Sequence, residues 1–311
     1  MSIIERAAAL LRSEPQGQQS RPGASDKGET QRRDLIERVS ADLAHVTYLP
    51  MDGASPPEPA KTNASGPSSS RAARPFAVDR NRLRALGLIT PDGERTPLAE
   101  SFRRIKRQIL ANVQNPKPGA PPANLVVVTS ALAGEGKTFC AINLAISMAL
   151  ERDRTVMLVD ADVAKPSVPR ALGLHADGGL MEVLLDRHVD VGDVLWKTDI
   201  GRLTVLPAGK AHQHATELLA SDAMRELLRH MAERYHDRIV VFDSPPLLAA
   251  SEAGALASLV GQIVVVVEAG KTSEAALKHA LGRIDTSRVT GLLLNKVESA
   301  PLEYGYGAYG G

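Results

Sequence analysis

The sequence is poor in cysteine, in long apolar runs and in net charge. A single cysteine in 311 residues, Cys140, excludes an internal disulfide and a cysteine-rich zinc site, and it is typical of a reducing compartment. No run approaches the roughly 18 to 20 consecutive apolar residues of a membrane-spanning helix, and the N-terminus lacks the pattern of a secretory signal. We therefore expect a cytoplasmic chain without a membrane helix of its own.

Positive and negative charges are balanced, with 37 Lys and Arg against 36 Asp and Glu. A net charge of +1 creates no global field toward nucleic acid or an anionic bilayer, so any such contact has to be local. The basic cluster at 103–107 lacks the interleaved aromatic side chains of nucleic-acid-binding surfaces, apart from Phe102. We expect no nucleic-acid partner.

Changes in composition divide the chain into four regions. The first region, residues 1–74, is rich in Gly, Ser, Pro, Gln and charged residues, and it cannot bury enough apolar area to fold. An apolar stripe within residues 2–12 nevertheless predicts one short amphipathic helix. In the second, Thr96-Pro97 and the pattern over Leu98–Val113 predict an amphipathic helix. The regions are 1–74, mostly disordered; 75–123, a helical segment; 124–298, a folded domain; and 299–311, a tail rich in tyrosine and glycine.

Six short apolar runs follow Asn124, with helical patterns between them. They are rich in Val and Leu and apolar on both faces, as buried parallel strands are. Strands that alternate with helices predict a doubly wound α/β fold with a mostly parallel sheet, whose ligands bind beyond the carboxyl ends of the strands. The predicted strands are 125–129, 155–159, 203–206, 238–242, 262–267 and 290–294.

A glycine-containing loop, SALAGEGKT, lies between the first of these strands and a sequence of good helix formers. Strand, loop and helix in this order are typical of a phosphate-binding loop, in which backbone N–H groups and the helix N-terminus face a polyanion. The sequence therefore predicts a nucleotide site here. Its predicted residues are Ser130, Gly134, Glu135, Gly136, Lys137, Thr138 and Phe139.

Within the loop, each residue type has a chemical role. The ammonium of Lys137 would contact the β- and γ-phosphates, and the hydroxyl of Thr138 would ligate Mg²⁺. Gly134 and Gly136 would let the backbone approach the phosphates closely. Ala131 replaces the first glycine of the usual motif, so the match to that motif is incomplete.

Acidic residues follow two further strands. Asp160 and Asp162 come at the end of the second strand, spaced to face the same side if the strand persisted. Such a pair would hold Mg²⁺, directly or through water, and one member would accept a proton from an attacking hydroxyl; a helix cap is the alternative role. Asp243 ends the fourth predicted strand and would orient water on the same ion. The predicted metal site thus comprises Thr138, Asp160, Asp162 and Asp243.

Two features lie near the C-terminus. Asn295 ends the last predicted strand and is a candidate for recognising the purine base, although a simple turn explains an Asn at this position nearly as well. The tail holds three of the five tyrosines, Tyr304, Tyr306 and Tyr309, among glycines that favour a flexible chain. Beside a nucleotide site, these phenols are expected to accept phosphate.

In their order and spacing these segments resemble bacterial tyrosine autokinases of the P-loop type, in particular the group associated with exosortase and exopolysaccharide systems. The resemblance rests on the loop SALAGEGKT, the motifs DADVAKP, LPAG, ELLAS, VVFDSPPLL and VVVVEAGKT, and the tyrosine-rich end. It implies a P-loop fold of the MinD/ParA-like type, with residues 75–123 as an entry and assembly segment, 124–298 as the P-loop kinase domain and 299–311 as the autophosphorylation tail. It also implies transfer of phosphate from ATP, with Mg²⁺, to the C-terminal tyrosines. It also implies catalytic roles for Lys137, Asp160 and Asp162.

The resemblance further implies assembly and a partner. The family's Glu-x-x-Arg-x-x-Arg assembly motif corresponds to Glu100, Arg103 and Lys106, with Lys in place of the last Arg. A homo-oligomer, with a ring as the family arrangement, is therefore expected. Similar proteins work with a separate membrane protein of the chain-length-determinant type, which would activate this chain and hold it at the inner membrane to regulate exopolysaccharide polymerisation and export.

Two alternatives keep the fold and change the function. A MinD/ParA-like ATPase would need a lysine that acts across a dimer, and this chain has Leu132 at that position. A nucleotide-gated scaffold would bind nucleotide without catalysis, which would leave the acidic residues without a catalytic role.

Overall fold

A computed structural model describes residues 46–50, 75–93, 96–116, 118–151, 153–175, 177–235 and 237–297. The short helix expected within residues 2–12 lies outside these ranges, as does the tyrosine-rich tail. None of the helices in the described ranges is long and apolar enough to cross a bilayer.

Eight strands form one sheet. They are β1 (Val46–Pro50), β2 (Leu125–Ser130), β3 (Thr155–Asp160), β4 (Trp196–Lys197), β5 (Leu203–Leu206), β6 (Arg238–Asp243), β7 (Gln262–Glu268) and β8 (Val289–Val297). Their spatial order is β1-β8-β7-β2-β6-β3-β5-β4, and every neighbouring pair is parallel except β4 with β5. The carboxyl ends of β2, β3, β6 and β7 therefore meet at one edge near the middle of the sheet.

Helices cover both faces of the sheet. They are α1 (Arg80–Ala85), α2 (Pro97–Gln114), α3 (Lys137–Ala149), α4 (Val168–Leu172), α5 (Leu180–Leu185), α6 (Val191–Val194), α7 (Ala215–Leu219), α8 (Asp222–Arg234), α9 (Ser251–Ala257) and α10 (Glu274–Leu281). Because successive strand residues point to opposite faces, Val126 and Val128 pack in a core with α2 and α3, whereas Leu125 and Val127 pack in a second core with α8 and α10. Burial on both faces explains why these strands read as continuous apolar runs.

The predicted fold class, a doubly wound and mostly parallel α/β sheet, is confirmed. All six predicted strands are present, and the helix predicted after Thr96 is α2, whose N-terminus Thr96 caps by accepting a hydrogen bond from the N–H of Ala99 at 3.1 Å. Two strands were not predicted. Strand β4 has only two residues, and β1 is a short run between polar segments that pairs with β8, so its pairing depends on contacts distant in sequence.

Candidate nucleotide-binding site

The loop between β2 and α3 lies at the carboxyl edge of the sheet, where ligands of such folds bind. Gly134 and Gly136 have φ values of +88° and +94°, in the left-handed region that favours glycine. A Cβ atom on Gly136 would lie 2.0 Å from Nδ2 of Asn295, which excludes any larger residue without rearrangement. None of the described side chains caps the N-terminus of α3, so the N–H groups of its first turn are left for an anion.

Lys137, at the first position of α3, forms an ion pair with Asp162, which follows β3. The Lys137 Nζ atom lies 2.7 Å from Oδ2 of Asp162, and both side chains are largely buried. An entering phosphate group would compete with Asp162 for this ammonium. The pair therefore links the arrival of a phosphate to the release of a carboxylate beside it.

Asp160 and Asp243 lie opposite each other in register, at the carboxyl ends of adjacent strands β3 and β6, and both are completely buried. Oδ2 of Asp160 accepts hydrogen bonds from the N–H groups of Ser167 and Val168, at 2.9 and 3.0 Å. Its Oδ1 and both oxygens of Asp243 have no hydrogen-bond partner with good geometry among the described residues. Buried carboxylate oxygens without partners are costly, so a ligand that supplies positive charge fits this place.

The electrostatics of these two acids reflect the same arrangement. Burial, followed by the negative charge of Asp243, raises the pKa of Asp160 to about 7, against the lowering effect of the Val168 and Ser167 N–H groups. Burial also raises the pKa of Asp243 to about 6, and this rise is opposed by the charge of Lys137 and by the nearby hydroxyl of Thr138. Both carboxyl groups therefore ionise more readily when a cation is present.

The donors around these acids suit a hydrated Mg²⁺ ion. Oγ1 of Thr138 lies 3.1 Å from Oγ of Ser167, and oxygen donors of this kind are those that Mg²⁺ prefers. In the described part of the chain, no group of three His, Cys, Asp or Glu side chains is arranged to hold a metal by itself. This fits an ion that keeps several waters and shares its shell with phosphate oxygens. Sequence reasoning missed Ser167, whose only signal is its position after the acidic motif.

Glu135 turns its side chain back into the loop and is 2% exposed. Its Oε2 accepts a hydrogen bond from the N–H of Leu132 at 2.7 Å, and its Oε1 accepts one from the hydroxyl of Thr272. Ser130, also expected to contact nucleotide, donates its hydroxyl to the carbonyl of Leu132 at 2.8 Å. Sequence reasoning missed Thr272, which lies 137 residues from Glu135 and had a signal only in the motif VVVVEAGKT.

Asn295 and Lys296, at the end of β8, hold the other side of the loop. Nδ2 of Asn295 donates to the carbonyl of Glu135 at 2.9 Å, and Nζ of Lys296 donates to the carbonyl of Gly134 at 2.7 Å. The amide N–H of Asn295 therefore contacts the loop, and base recognition by this residue stays a prediction. Phe139 packs, partly buried, against the core beside α3, and its nucleotide contact likewise stays a prediction.

The three predicted assembly residues on α2 separate into two groups. Glu100 and Arg103 form a partly exposed ion pair, with Oε2 and Nη1 2.8 Å apart. Lys106 is buried, and its Nζ contacts the carbonyl of Ser147 at 2.8 Å and Oε1 of Glu151 at 2.9 Å, at the C-terminal end of α3. Lys106 thus stabilises the contact between α2 and α3, and its role in assembly stays a prediction, as do those of Glu100 and Arg103.

The chain is similar to several known proteins. Residues 123–295 match the family model described as an AAA domain. The tyrosine-protein kinase YwqD of Bacillus subtilis (strain 168) is 35% identical over 184 residues, which cover 58% of this chain and 76% of YwqD. The succinoglycan biosynthesis transport protein ExoP of Rhizobium meliloti (strain 1021) is 34% identical over 226 residues, which cover 68% of this chain but only 27% of ExoP. The solved kinase domain of the Escherichia coli tyrosine kinase ETK superposes with a TM-score of 0.63 at 21% identity, covering 91% of this chain and 100% of that domain.

Proposed function

The chain belongs to the AAA-domain family and, within it, to the bacterial tyrosine-protein kinases, and from this premise we propose that it transfers the γ-phosphoryl group of ATP to tyrosines of its own tail. The acceptors are Tyr304, Tyr306 and Tyr309, which lie outside the described residues. The observation that carries the proposal is the set of groups around one phosphate-binding loop: an ammonium, a carboxylate paired with it, and two buried carboxylates with unpartnered oxygens.

The bound nucleotide would place its phosphates against the loop and the first turn of α3. Lys137 would then turn from Asp162 to the β- and γ-phosphates. Thr138, Asp160 and Asp243 would hold a hydrated Mg²⁺ ion, which neutralises phosphate charge when it is bound. The burial of both carboxylates excludes bulk water and strengthens each of these interactions.

Transfer then needs a group that removes one proton. The phenolic oxygen of a tail tyrosine forms a bond to the γ-phosphorus, the bond from that phosphorus to the β–γ bridging oxygen breaks, and ADP leaves with the electron pair. Asp162 accepts the phenolic proton and passes it to water. We assign this role to Asp162 because a phosphate that attracts Lys137 frees this carboxylate beside the reacting group.

The relatives support a proposal about the biological setting. ExoP is named as a biosynthesis transport protein and extends far beyond the region that matches this chain. We infer that a separate membrane protein of the chain-length-determinant type activates this chain and holds it at the inner membrane, where phosphorylation regulates exopolysaccharide export. Three phosphotyrosines would add about five to six negative charges to one tail, and their repulsion would weaken an oligomer.

The test is phosphate incorporation from γ-labelled ATP into the purified full chain with Mg²⁺. We expect label in the unaltered chain, none in Lys137→Ala, and none in a variant whose three tail tyrosines are Phe. Lys278→Ala is the matched control, because Lys278 is an exposed lysine on α10. ADP formation without labelled protein would favour an ATPase and contradict the proposal.

A further inference from the structure

The phosphate-binding loop contains a buried carboxylate. Glu135 lies between the two glycines of the loop, where its negative charge would oppose the binding of a polyanion. A charged group that is 2% exposed is unfavourable unless it is well paired. Favourable contacts must therefore offset the burial of this carboxylate and its repulsion of a bound phosphate.

The contacts of Glu135 fix the shape of the loop. One oxygen accepts the N–H of Leu132, so that the side chain spans the loop from its beginning to its end. The other accepts the hydroxyl of Thr272. Thr272 is itself fixed, because its Oγ1 accepts the N–H of Glu268 at 3.0 Å and its side chain is buried. The loop is thus anchored to the end of β7.

Two further contacts orient the peptide groups of the loop. Lys296 binds the carbonyl of Gly134 and Asn295 binds the carbonyl of Glu135, both from the side of β8. In a planar trans peptide the C=O and the following N–H point in opposite directions. The N–H groups of Glu135 and Gly136 are therefore directed away from β8. Lys296 adopts a φ of +57°, the one positive value outside glycine in the described ranges, which is an unfavourable backbone conformation for a residue with a side chain.

We propose that Glu135 is a positioning residue that, together with Thr272, Asn295 and Lys296, holds the loop N–H groups in the orientation that binds nucleotide phosphates. This inference rests on the proposed function, since it assumes that the loop binds a nucleotide. The clamp, defined as the Leu132–Glu135–Thr272 contacts, forms the orientation in advance, so that binding does not have to order the loop.

The test measures binding of the fluorescent nucleotide mant-ADP, with Mg²⁺, to the full chain. Loss of a hydrogen bond to a charged group corresponds to about a tenfold change, so Glu135→Ala and Thr272→Val should each raise the Kd about tenfold. Thr272→Ser keeps the hydroxyl and should bind as the unaltered chain does. The double variant should bind no more weakly than Glu135→Ala alone, because both changes break one clamp.

A purely structural role is separated by a control and by kinetics. Thr198 is also buried and donates its hydroxyl to the carbonyl of Leu203, at the start of β5 and away from the carboxyl ends of the strands. Thr198→Val should therefore lower the free energy of unfolding without changing the Kd. In the transfer assay the clamp variants should raise the KM for ATP and keep kcat, whereas partial unfolding lowers the active fraction and leaves KM unchanged.

The outcomes distinguish the two proposals. If the unaltered chain binds mant-ADP and the clamp variants bind it equally well, or if Thr198→Val weakens binding as much, the clamp is wrong and the kinase assignment stands. If the unaltered chain does not bind mant-ADP, the proposed function fails and the clamp fails with it.

Discussion

Replacement of Asp243 by Asn is expected to stabilise the ligand-free protein and to remove its response to Mg²⁺ and nucleotide. Burial raises the pKa of Asp243 from 3.8 to about 6, and neither oxygen has a partner with hydrogen-bond geometry in the described part of the chain. Because the folded state keeps the proton to a higher pH than the unfolded chain does, ionisation destabilises the folded state as the pH rises from about 4 to about 6. A shift of about two units corresponds to about 3 kcal/mol above that range.

The neutral amide of Asn removes this destabilisation, less the cost of its own unpaired groups. At pH 8 the melting temperature of the ligand-free variant should therefore exceed that of the unaltered chain by several degrees, given about 2 to 4 °C per kcal/mol. Calorimetry should show this gain shrinking by about half at pH 5, where the wild-type carboxyl is mostly protonated. Added ADP and Mg²⁺ should raise the melting temperature of the unaltered chain but not that of the Asp243→Asn variant.

An exposed aspartate supplies the control for this experiment. Asp153→Asn should change neither the ligand-free melting temperature nor the response to ligand, because Asp153 is exposed. A ligand-free Asp243→Asn protein that melts below the unaltered chain at pH 8 would show that the carboxylate stabilises the fold. The assignment of Asp243 to a cation site would then lose its physical basis.

Three further substitutions test two residues of the site and one contact between helices. Asp162→Asn should lower kcat for phosphate transfer on the order of 100-fold or more, because the variant has no group that accepts the phenolic proton. The Kd for mant-ADP should stay unchanged or fall, because Lys137 loses its ion pair with residue 162; a raised Kd would contradict the assignment of Asp162 as the base. Gly136→Ala should lower the free energy of unfolding in urea by about 1 to 3 kcal/mol and abolish nucleotide binding, because the added Cβ collides with the side-chain amide of Asn295. An unchanged midpoint of the urea transition would refute the close contact between Gly136 and Asn295. Lys106→Ala should lower the free energy of unfolding by about 1 to 3 kcal/mol in the same assay, because it removes the contacts with Ser147 and Glu151; an unchanged transition midpoint would refute their contribution. Sedimentation of the same variant tests the predicted role of Lys106 in assembly, which requires that the oligomer dissociates.

The sequence predicted those strands and strand ends whose pattern depends on residues close together in the chain. The Val-rich runs are apolar on both faces because helices cover both sides of the sheet, so their pattern revealed β2, β3, β6 and β7 directly. The parallel order of these strands also brings Asp160 and Asp243 to one edge, as their positions at strand ends predicted. The order of strand, loop and helix likewise predicted where the loop between β2 and α3 lies, and its binding of nucleotide stays a prediction.

Contacts between residues far apart in the sequence could not be predicted from such local patterns. Thr272 meets Glu135 because β7 lies next to β2, and the sequence contains no periodic signal for that neighbourhood. The strand β1 likewise depends on the edge that β8 presents. Lys106 matched a motif position, yet a buried contact with Ser147 and Glu151 determines where its side chain lies. Motif spacing located residues, and packing determined what they contact.

The central claim is that this site transfers phosphate to the tail, and peptide mass spectrometry tests it most directly. The full chain is incubated with ATP and Mg²⁺, with the partner's cytoplasmic segment supplied where one is known, and the C-terminal peptide is followed over time. We predict stepwise phosphorylation of Tyr304, Tyr306 and Tyr309 that is absent in Lys137→Ala. Consumption of ATP while the three tyrosines stay unmodified would contradict the account.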